Sequence, residues 1–339
     1  MPPDLLERAG AVFAYADAQV CLGGAMFDFH ARSRLFSAGD ILLPDSFGIA
    51  HIVPEEGCDI RQMAGVDFLA QVHHPDFNGW WCFAFPVDAL EKAGLPMPCF
   101  IRGDDVEYGY RLKRAGWPTL GWPGLAVWHM PFEAKTAAWH SFYDRRNALF
   151  ANALHRRVGL RAALGKLIGG FVLHLLRYDY GRVKAMTQGI AGFNRGPGAM
   201  ERWSHHDHAA LIAAVAAEPI SSALREVVDK EGAATQVAPQ PLSPRRRAIT
   251  MAVRFAADLL WPWRRTGLAV LAPGRPWRGD LVLRPAHVAE TDDQGDILAI
   301  YRYRWGASWA ATVRCLIALT GLIWHFRRVV PVKRPRRGN

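Results

Sequence analysis

The chain has 339 residues, half of them hydrophobic and 11% aromatic, so it can bury a core in two units and is not intrinsically disordered. Its formal net charge of +10 predicts an anionic partner, such as nucleic acid, an acidic membrane surface or a phosphorylated substrate. The five cysteines are scattered without a Cys-x-x-Cys pair, which favours a reducing compartment and argues against structural zinc.

The first predicted elements are a helix over residues 4–16, where apolar side chains recur at helical spacing, and a strand over residues 19–29 with a glycine pair inside it. A loop-rich stretch over residues 35–53 follows. Because the first helix has no earlier strand from which to cross over, we expect an α/β sheet whose first units lie upstream of Met1.

The middle of the sequence alternates strands and helices. A buried strand is predicted over residues 80–87 and a short helix over residues 87–93. The next helix, over residues 104–115, begins with acidic residues, which suit the positive end of a helix dipole and would face a cleft. A strand over residues 120–129 and a long helix over residues 139–155 complete this half.

The composition changes near Gly159 to long apolar helices with basic flanks, which predicts two domains. We place the domain boundary after residue 157, so that residues 1–157 form an α/β unit and residues 158–339 a mainly helical domain. The predicted elements of the second domain are helices over residues 160–178 and 209–217, an exposed linker over 231–247, a β-hairpin over 280–303 turning at 292–295, and an amphipathic helix over 307–330.

Three carboxylates, Asp104, Asp105 and Glu107, lie within four positions. Inverting glycosyl transfer needs one carboxylate to take the proton of the attacking hydroxyl, and an exposed aspartate with a pKa of about 3.9 can do so at neutral pH. The alternative is structural: Asp104 caps its helix, and Glu107 pairs with Arg111 four positions later.

Trp80 and Trp81 could both be core residues. Adjacent residues of a strand face opposite sides, however, so one of the two rings remains free to stack on a sugar. His129 follows a predicted strand, at the edge where sites of α/β folds gather, and is a candidate metal ligand. The cluster His205-His206-Asp207-His208 is a weak metal candidate, because adjacent histidines of a helix splay apart.

Several motifs occur in an order that closely resembles the polymerising galactofuranosyltransferases of mycobacteria and relatives, which are family 2 glycosyltransferases with a GT-A fold. These motifs are Phe77-Asn78-Gly79-Trp80-Trp81, Leu95 to Ile101, Asp104 to Gly109, Pro123-Gly124, Trp128-His129-Met130 and Arg146-Asn147. The resemblance implies the fold class α/β: the C-terminal part of a Rossmann-like GT-A domain, followed by a mainly helical domain. It makes residues 1–157 the acceptor half of the glycosyltransferase domain and residues 158–339 the helical domain.

The same resemblance implies UDP-galactofuranose as donor, a lipid-linked galactan as acceptor, inversion at the anomeric carbon, and Mn²⁺ or Mg²⁺ as cofactor. It makes Asp105 the catalytic base and His129 a metal ligand. The acceptor-binding residues that it implies are Trp80, Trp81, Asp104, Glu107 and Asp40.

The family's Asp-x-Asp metal and nucleotide motif, its uridine-binding strands and its N-terminal domain would precede Met1. We therefore expect an N-terminally truncated relative that binds the donor poorly unless those residues are supplied. The alternative hypothesis is a non-catalytic module, left by truncation, that binds carbohydrate or a membrane surface.

The basic helices predict a peripheral protein on the cytoplasmic side of the cell membrane. No secretory signal peptide opens the sequence, and the stretches Leu164 to Leu176 and Cys315 to Phe326 are shorter than the roughly 20 residues that span a bilayer. Nucleic acid is not an expected partner, because no RNA-binding or helix-turn-helix pattern accompanies the basic residues. The sequence leaves open whether the chain forms a homo-oligomer.

Overall fold

The computed structural model of the protein describes residues 2–16, 19–44, 48–55, 57–130, 137–216, 243–263, 265, 267–271, 284–291 and 297–329. The chain folds into two compact units. Unit 1 comprises residues 1–135 and 154–159, and unit 2 comprises residues 136–153 and 160–339. The structure is a mixed α/β protein with a mainly helical C-terminal part, as predicted.

Among its described residues, unit 1 contains six strands and four helices that precede the long α5. Its strands are β1 (Cys21–Asp28), β2 (Leu35–Ser37), β3 (Asp40–Leu42), β4 (Ile49–His51), β5 (Phe83–Ala84) and β6 (Thr119–His129). Its helices are α1 (Leu5–Tyr15), α2 (Met63–Leu69), α3 (Val87–Ala93) and α4 (Asp104–Arg114).

The main sheet of unit 1 is built around β1, whose first seven residues are all buried. β1 pairs antiparallel with β2 and β5 and parallel with β6. The parallel register runs from Cys21 opposite Thr119 to Asp28 opposite His129. The carboxyl ends of these two strands therefore lie together, at the sheet edge where polar site residues of α/β folds are found.

The glycine pair predicted inside β1 has a packing role. A Cβ at Gly23 would lie 2.6 Å from Asn78 Oδ1, and one at Gly24 would collide with Cys82 Sγ. Only residues without a side chain let the segment from Asn78 to Cys82 lie this close to the strand. Asn78 then donates hydrogen bonds from its side-chain amide to the Gly24 and Cys82 carbonyls. The pair thus fixes the segment that carries the two tryptophans.

Two local predictions in unit 1 were wrong, and one helix was not predicted. The strand expected over residues 80–87 is only the two-residue β5, and both tryptophans lie in the turn before it. The stretch expected to be loop-rich over residues 35–53 contains β2, β3 and β4. Helix α2 was not predicted, because its seven residues are too few to show a periodic apolar pattern.

Seven helices and one small sheet follow among the described residues. They belong to unit 2, apart from the last two residues of α5. The helices are α5 (His140–His155), α6 (Leu160–Leu176), α7 (Tyr180–Asn194), α8 (Gly198–Glu201), α9 (His205–Val215), α10 (Pro244–Leu260) and α11 (Trp305–Val329). The strands are β7 (Leu268–Leu271), β8 (His287–Thr291) and β9 (Ile297–Arg302).

The hairpin predicted over residues 280–303 is present, because β8 and β9 pair antiparallel; its predicted turn lies outside the described residues. β7, which was not predicted, pairs parallel with β8. The linker predicted over residues 231–247 is wrong at its end, since α10 begins at Pro244 behind the N-cap Ser243; residues 231–242 are outside the described ranges. The domain boundary predicted after residue 157 stays a prediction.

Candidate active site

Helix α4 presents its acidic residues at its first turn. The N-cap residue Gly103 has a φ of 82°, a left-handed conformation that glycine adopts without strain, and it contributes no side-chain cap. Asp104, Asp105 and Glu107 follow in the first turn, and the last turn is basic. Both ends therefore complement the helix dipole, and the acidic start agrees with the sequence-based prediction.

Asp105 is partly buried, and its pKa is raised from the ordinary value to about 6. Burial is the largest cause, and the neighbouring charges of Asp104 and Asp40 raise the pKa further. A hydrogen bond that the Val106 amide donates to Asp105 Oδ1 at 2.8 Å acts in the opposite direction. The ordinary aspartate pKa that the sequence analysis assumed is thus wrong for Asp105.

Asp40 is almost fully buried and lies at the start of β3. Its Oδ1 accepts a hydrogen bond from Ser37 Oγ at 2.9 Å and lies 2.6 Å from His51 Nδ1. Its main chain pairs with Phe77, three residues before Trp80. Asp40 lies near enough for its charge to affect Asp105, although 65 positions separate the two in sequence. Ser37 and His51 were not predicted as site residues, because no sequence motif marks them.

Trp80 is the exposed member of the tryptophan pair, with 40% of its surface accessible. Its indole N–H donates a hydrogen bond to Asp104 Oδ2 at 2.8 Å, which holds the ring beside the first turn of α4. Rings that support it, with centroids 5.7 to 6.4 Å away, belong to Phe83, Phe85 and Tyr108.

Trp81 is the packed member of the pair. Its indole N–H donates to the Gly24 carbonyl at 3.2 Å, and its ring packs against the apolar cluster that includes Leu5, Leu22 and Leu125. One ring is therefore exposed and one packed, as expected, but the reason is the turn and not the alternation of a strand. A flat, exposed aromatic face next to a carboxylate is suited to stacking on a sugar ring.

Glu107 is buried, with no exposed side-chain surface. Both of its oxygens accept hydrogen bonds from Arg111, at 3.0 and 2.7 Å, and Oε1 lies 2.9 Å from Nε2 of the buried His155. The Glu107–Arg111 pair of the structural alternative is thus confirmed, whereas the capping role of Asp104 is wrong, because Gly103 is the N-cap and no side chain caps the helix. This geometry fits a residue that positions α4; the acceptor-binding role that the resemblance implies for Glu107 stays a prediction.

His129 ends β6, next to Asp28 of β1. Its Nδ1 bonds to the Met130 carbonyl at 2.7 Å, and Asp28 Oδ1 accepts from the His30 and Ala31 amides at 2.7 and 3.1 Å. Within the ranges that the structure describes, no three His, Cys, Asp or Glu side chains come together to hold a metal ion. The described residues alone therefore do not form a complete metal site.

The histidine cluster at the start of α9 has structural roles. Ser204 and Asp207 form a capping box, and His208 Nδ1 lies 2.9 Å from the Tyr143 hydroxyl. The same hydroxyl accepts a hydrogen bond from the Trp203 indole at 2.8 Å. Capping therefore explains Asp207, and packing between helices of unit 2 explains His208.

Comparisons with known proteins agree with the resemblance. Residues 2–148 match the family described as "Glycosyltransferase like family 2". Galactofuranosyltransferase GlfT2 of Mycolicibacterium smegmatis is 30% identical over 205 residues, which are 58% of this chain and 32% of that protein. GlfT2 of Mycobacterium tuberculosis is 28% identical over 209 residues, 58% of this chain and 33% of its own length.

The matched region therefore spans about a third of the length of these curated relatives. The family match includes Asp40, Trp80, Asp104, Asp105 and His129, so the site built above lies wholly within it. Residues 2–148 of this chain thus match the glycosyltransferase-like family 2, in agreement with the ordered motifs.

Proposed function

We propose that this chain transfers galactofuranose from UDP-galactofuranose to a lipid-linked galactan, with inversion at the anomeric carbon. One observation carries the proposal: a partly buried carboxylate, Asp105, directly follows Asp104, which accepts a hydrogen bond from the exposed indole of Trp80. The family match of residues 2–148 and the similarity to two galactofuranosyltransferases support the reaction class and the sugar.

In the proposed reaction an acceptor sugar stacks on Trp80, with the attacking hydroxyl within reach of Asp105. The hydroxyl oxygen forms a bond to the anomeric carbon as the bond from that carbon to the diphosphate breaks. Asp105 takes the hydroxyl proton, and the nucleoside diphosphate leaves with the bonding electrons. A base with a pKa of about 6 is ionised at neutral pH and is a stronger base than an ordinary aspartate.

A divalent cation, Mn²⁺ or Mg²⁺, is the cofactor that we propose, because a leaving diphosphate needs its developing charge neutralised. His129 is the residue of this chain that would provide one ligand, at the edge where β1 and β6 end. The remaining ligands would be donor phosphate oxygens and further groups.

We propose that the protein binds the cytoplasmic surface of the cell membrane through α10 and α11. By length and composition alone, one described helix, Trp305–Phe326, could cross a bilayer, although the apolar stretch recognised in the sequence was shorter. One side of α11 is buried in unit 2, which favours a helix lying on the surface. Exposed apolar residues of these helices are Ile249, Val253, Leu260, Trp309, Leu316, Ile317 and Trp324.

The proposed function is tested by measuring UDP release from UDP-galactofuranose with Mn²⁺, with and without a short galactan acceptor. We expect release that depends on the acceptor and is lost in Asp105→Asn.

The second candidate function, a carbohydrate-binding module, rests on the exposed ring of Trp80. It predicts galactan affinity that Asp105→Asn leaves unchanged, with no UDP release from either protein.

The Asp40→Asn variant is expected to shift the acidic limb of the profile of kcat/KM against pH to lower pH. The charge of Asp40 raises the pKa of Asp105, so its removal lets Asp105 lose its proton at lower pH. Asparagine keeps an oxygen that can accept the Ser37 hydrogen bond. The exposed Asp88 on α3 provides the control Asp88→Asn, whose profile should match the unmodified protein. An unchanged limb in Asp40→Asn would contradict the electrostatic coupling.

A further inference from the structure

Unit 2 contains a buried histidine that three arginines surround. His174 lies near the end of α6 with 12% of its side chain exposed. Burial lowers its pKa well below the ordinary value, and the charges of Arg182, Arg177 and Arg145 lower it further. The imidazole is therefore neutral at physiological pH, and three guanidinium groups lie near enough to affect it.

Two carboxylates lie in the same cluster, and both have partners. Asp179 is the N-cap of α7 and accepts from Arg182 Nε at 2.7 Å and from the Arg182 amide at 2.9 Å. Glu290 accepts from the Tyr301 hydroxyl at 3.2 Å and attracts Arg177. Asp179 thus compensates the positive charge of Arg182, and Glu290 compensates that of Arg177.

Of the three arginines near His174, Arg145 has the weakest compensation of its charge. Its Nε atom is fully buried, and among the described residues no acceptor bonds to it. The attractive charge that acts on it is Asp144, an adjacent helix position that points in a different direction. Burial lowers the pKa of Arg145, which means that its charge is unfavourable in these surroundings.

A second buried nitrogen beside it lacks a hydrogen-bond partner. His174 Nδ1 has no hydrogen-bond partner within the part of the chain that the structure describes; its distance to Asp179 Oδ2 is 3.9 Å. A buried polar group without a partner costs about 1–3 kcal/mol, so native proteins rarely retain one without a compensating role. Two such groups in a cluster of guanidinium charges are best satisfied by one anionic ligand with several oxygens.

We propose that Arg145, Arg177 and His174 form a binding site for a phosphate-type anion. The planar guanidinium group matches the oxygens of phosphate, which accept several charge-assisted hydrogen bonds at once. The ligand is either a free phosphate or diphosphate or the phosphate of a lipid headgroup, which share this chemistry. The site lies within unit 2 and does not depend on the transferase activity of residues 2–148.

The test measures the melting temperature and the affinity of the full chain for inorganic pyrophosphate, with sodium chloride at equal ionic strength as the salt control. We expect pyrophosphate to raise the melting temperature and chloride not to do so. In Arg145→Met the affinity should fall about tenfold or more, since a charge-assisted contact is lost. The same variant should melt at a higher temperature than the unmodified protein without anion, because a poorly paired buried cation is gone. Arg161→Met, an exposed arginine of α6, is the matched control and should change neither quantity.

If Arg145→Met does not fold, Arg145→Lys and His174→Gln replace it; both should fold and weaken pyrophosphate binding. Vesicles of phosphatidylcholine with and without phosphatidic acid separate the two sources of the phosphate group. Binding to phosphatidic acid that Arg145→Met abolishes assigns a lipid headgroup, and pyrophosphate binding alone assigns a free anion. Equal pyrophosphate affinity in Arg145→Met and the unmodified protein, or no binding of either probe, would overturn the proposal.

Discussion

Asp105→Asn is expected to lower the rate of sugar transfer by about 10²- to 10⁴-fold, the usual contribution of a positioned general base. The amide cannot accept the hydroxyl proton, but it can still accept the Val106 amide hydrogen bond that holds the carboxylate at 2.8 Å. The loss should therefore fall on kcat, while the affinity for the galactan acceptor is kept. Steady-state kinetics with varied acceptor concentration measure the two effects separately.

The same substitution should increase the stability of the protein at pH 8. The folded pKa of Asp105 is raised to about 6, so the folded state binds a proton more tightly than the unfolded state, and stability is lost as pH rises through this range. One pKa unit corresponds to about 1.4 kcal/mol, and partial exposure of the side chain reduces the effect, so we expect a gain of about 1–2 kcal/mol. At pH 3, where both states bind the proton, the gain should disappear.

Urea denaturation of the two proteins at both pH values checks this expectation, and Asp88→Asn is the control with an exposed carboxylate. A variant that is inactive but less stable at pH 8 would contradict the assigned role, because it would show that Asp105 supports the fold. A substitution that lowers activity but raises stability is expected where the fold keeps a group in an unfavourable electrostatic environment for its chemistry.

Glu107→Gln is expected to lower the free energy of unfolding by about 2–3 kcal/mol, because it removes the buried carboxylate charge that contacts the partly buried Arg111 and the His155 ring. These partners lower the pKa of Glu107, so its contribution is present above the ordinary pKa of a glutamate and is lost as pH falls through the lowered value. The difference between the variant and the unmodified protein should therefore be large at pH 7 and small in strong acid.

Glu91→Gln on α3 is the matched control, since Glu91 is exposed and its loss should change stability by less than about 0.5 kcal/mol. Glu107→Gln should also reduce transfer, because α4 carries both Glu107 and Asp105 and a looser helix places the base less well. If acceptor affinity falls sharply while stability is unchanged, Glu107 contacts the acceptor, as the family resemblance implies, and the positioning role is wrong.

Local sequence patterns were enough to predict the helix over Asp104 to Arg114, the strand ending at His129 and the long helix after Trp139. Each has an apolar pattern long enough to set its period, and acidic residues mark the start of α4. The ordered motifs also identified the family, since their residue types and spacing survive in a chain that is 30% identical to a relative. Short elements such as α2 and β5 have no such pattern and were missed or misplaced.

The properties of the site, in contrast, follow from contacts that the fold makes between distant residues. Asp40, Ser37 and His51 are far from Asp105 in sequence. Burial, with the charges of Asp104 and Asp40, nevertheless raises the pKa of the base to about 6. Trp80 is exposed and Trp81 packed because a turn held against the glycine pair orients them. The burial of Glu107 likewise depends on His155, 48 positions later. Sequence patterns record local periodicity, whereas desolvation and charge coupling depend on which distant residues the fold brings together.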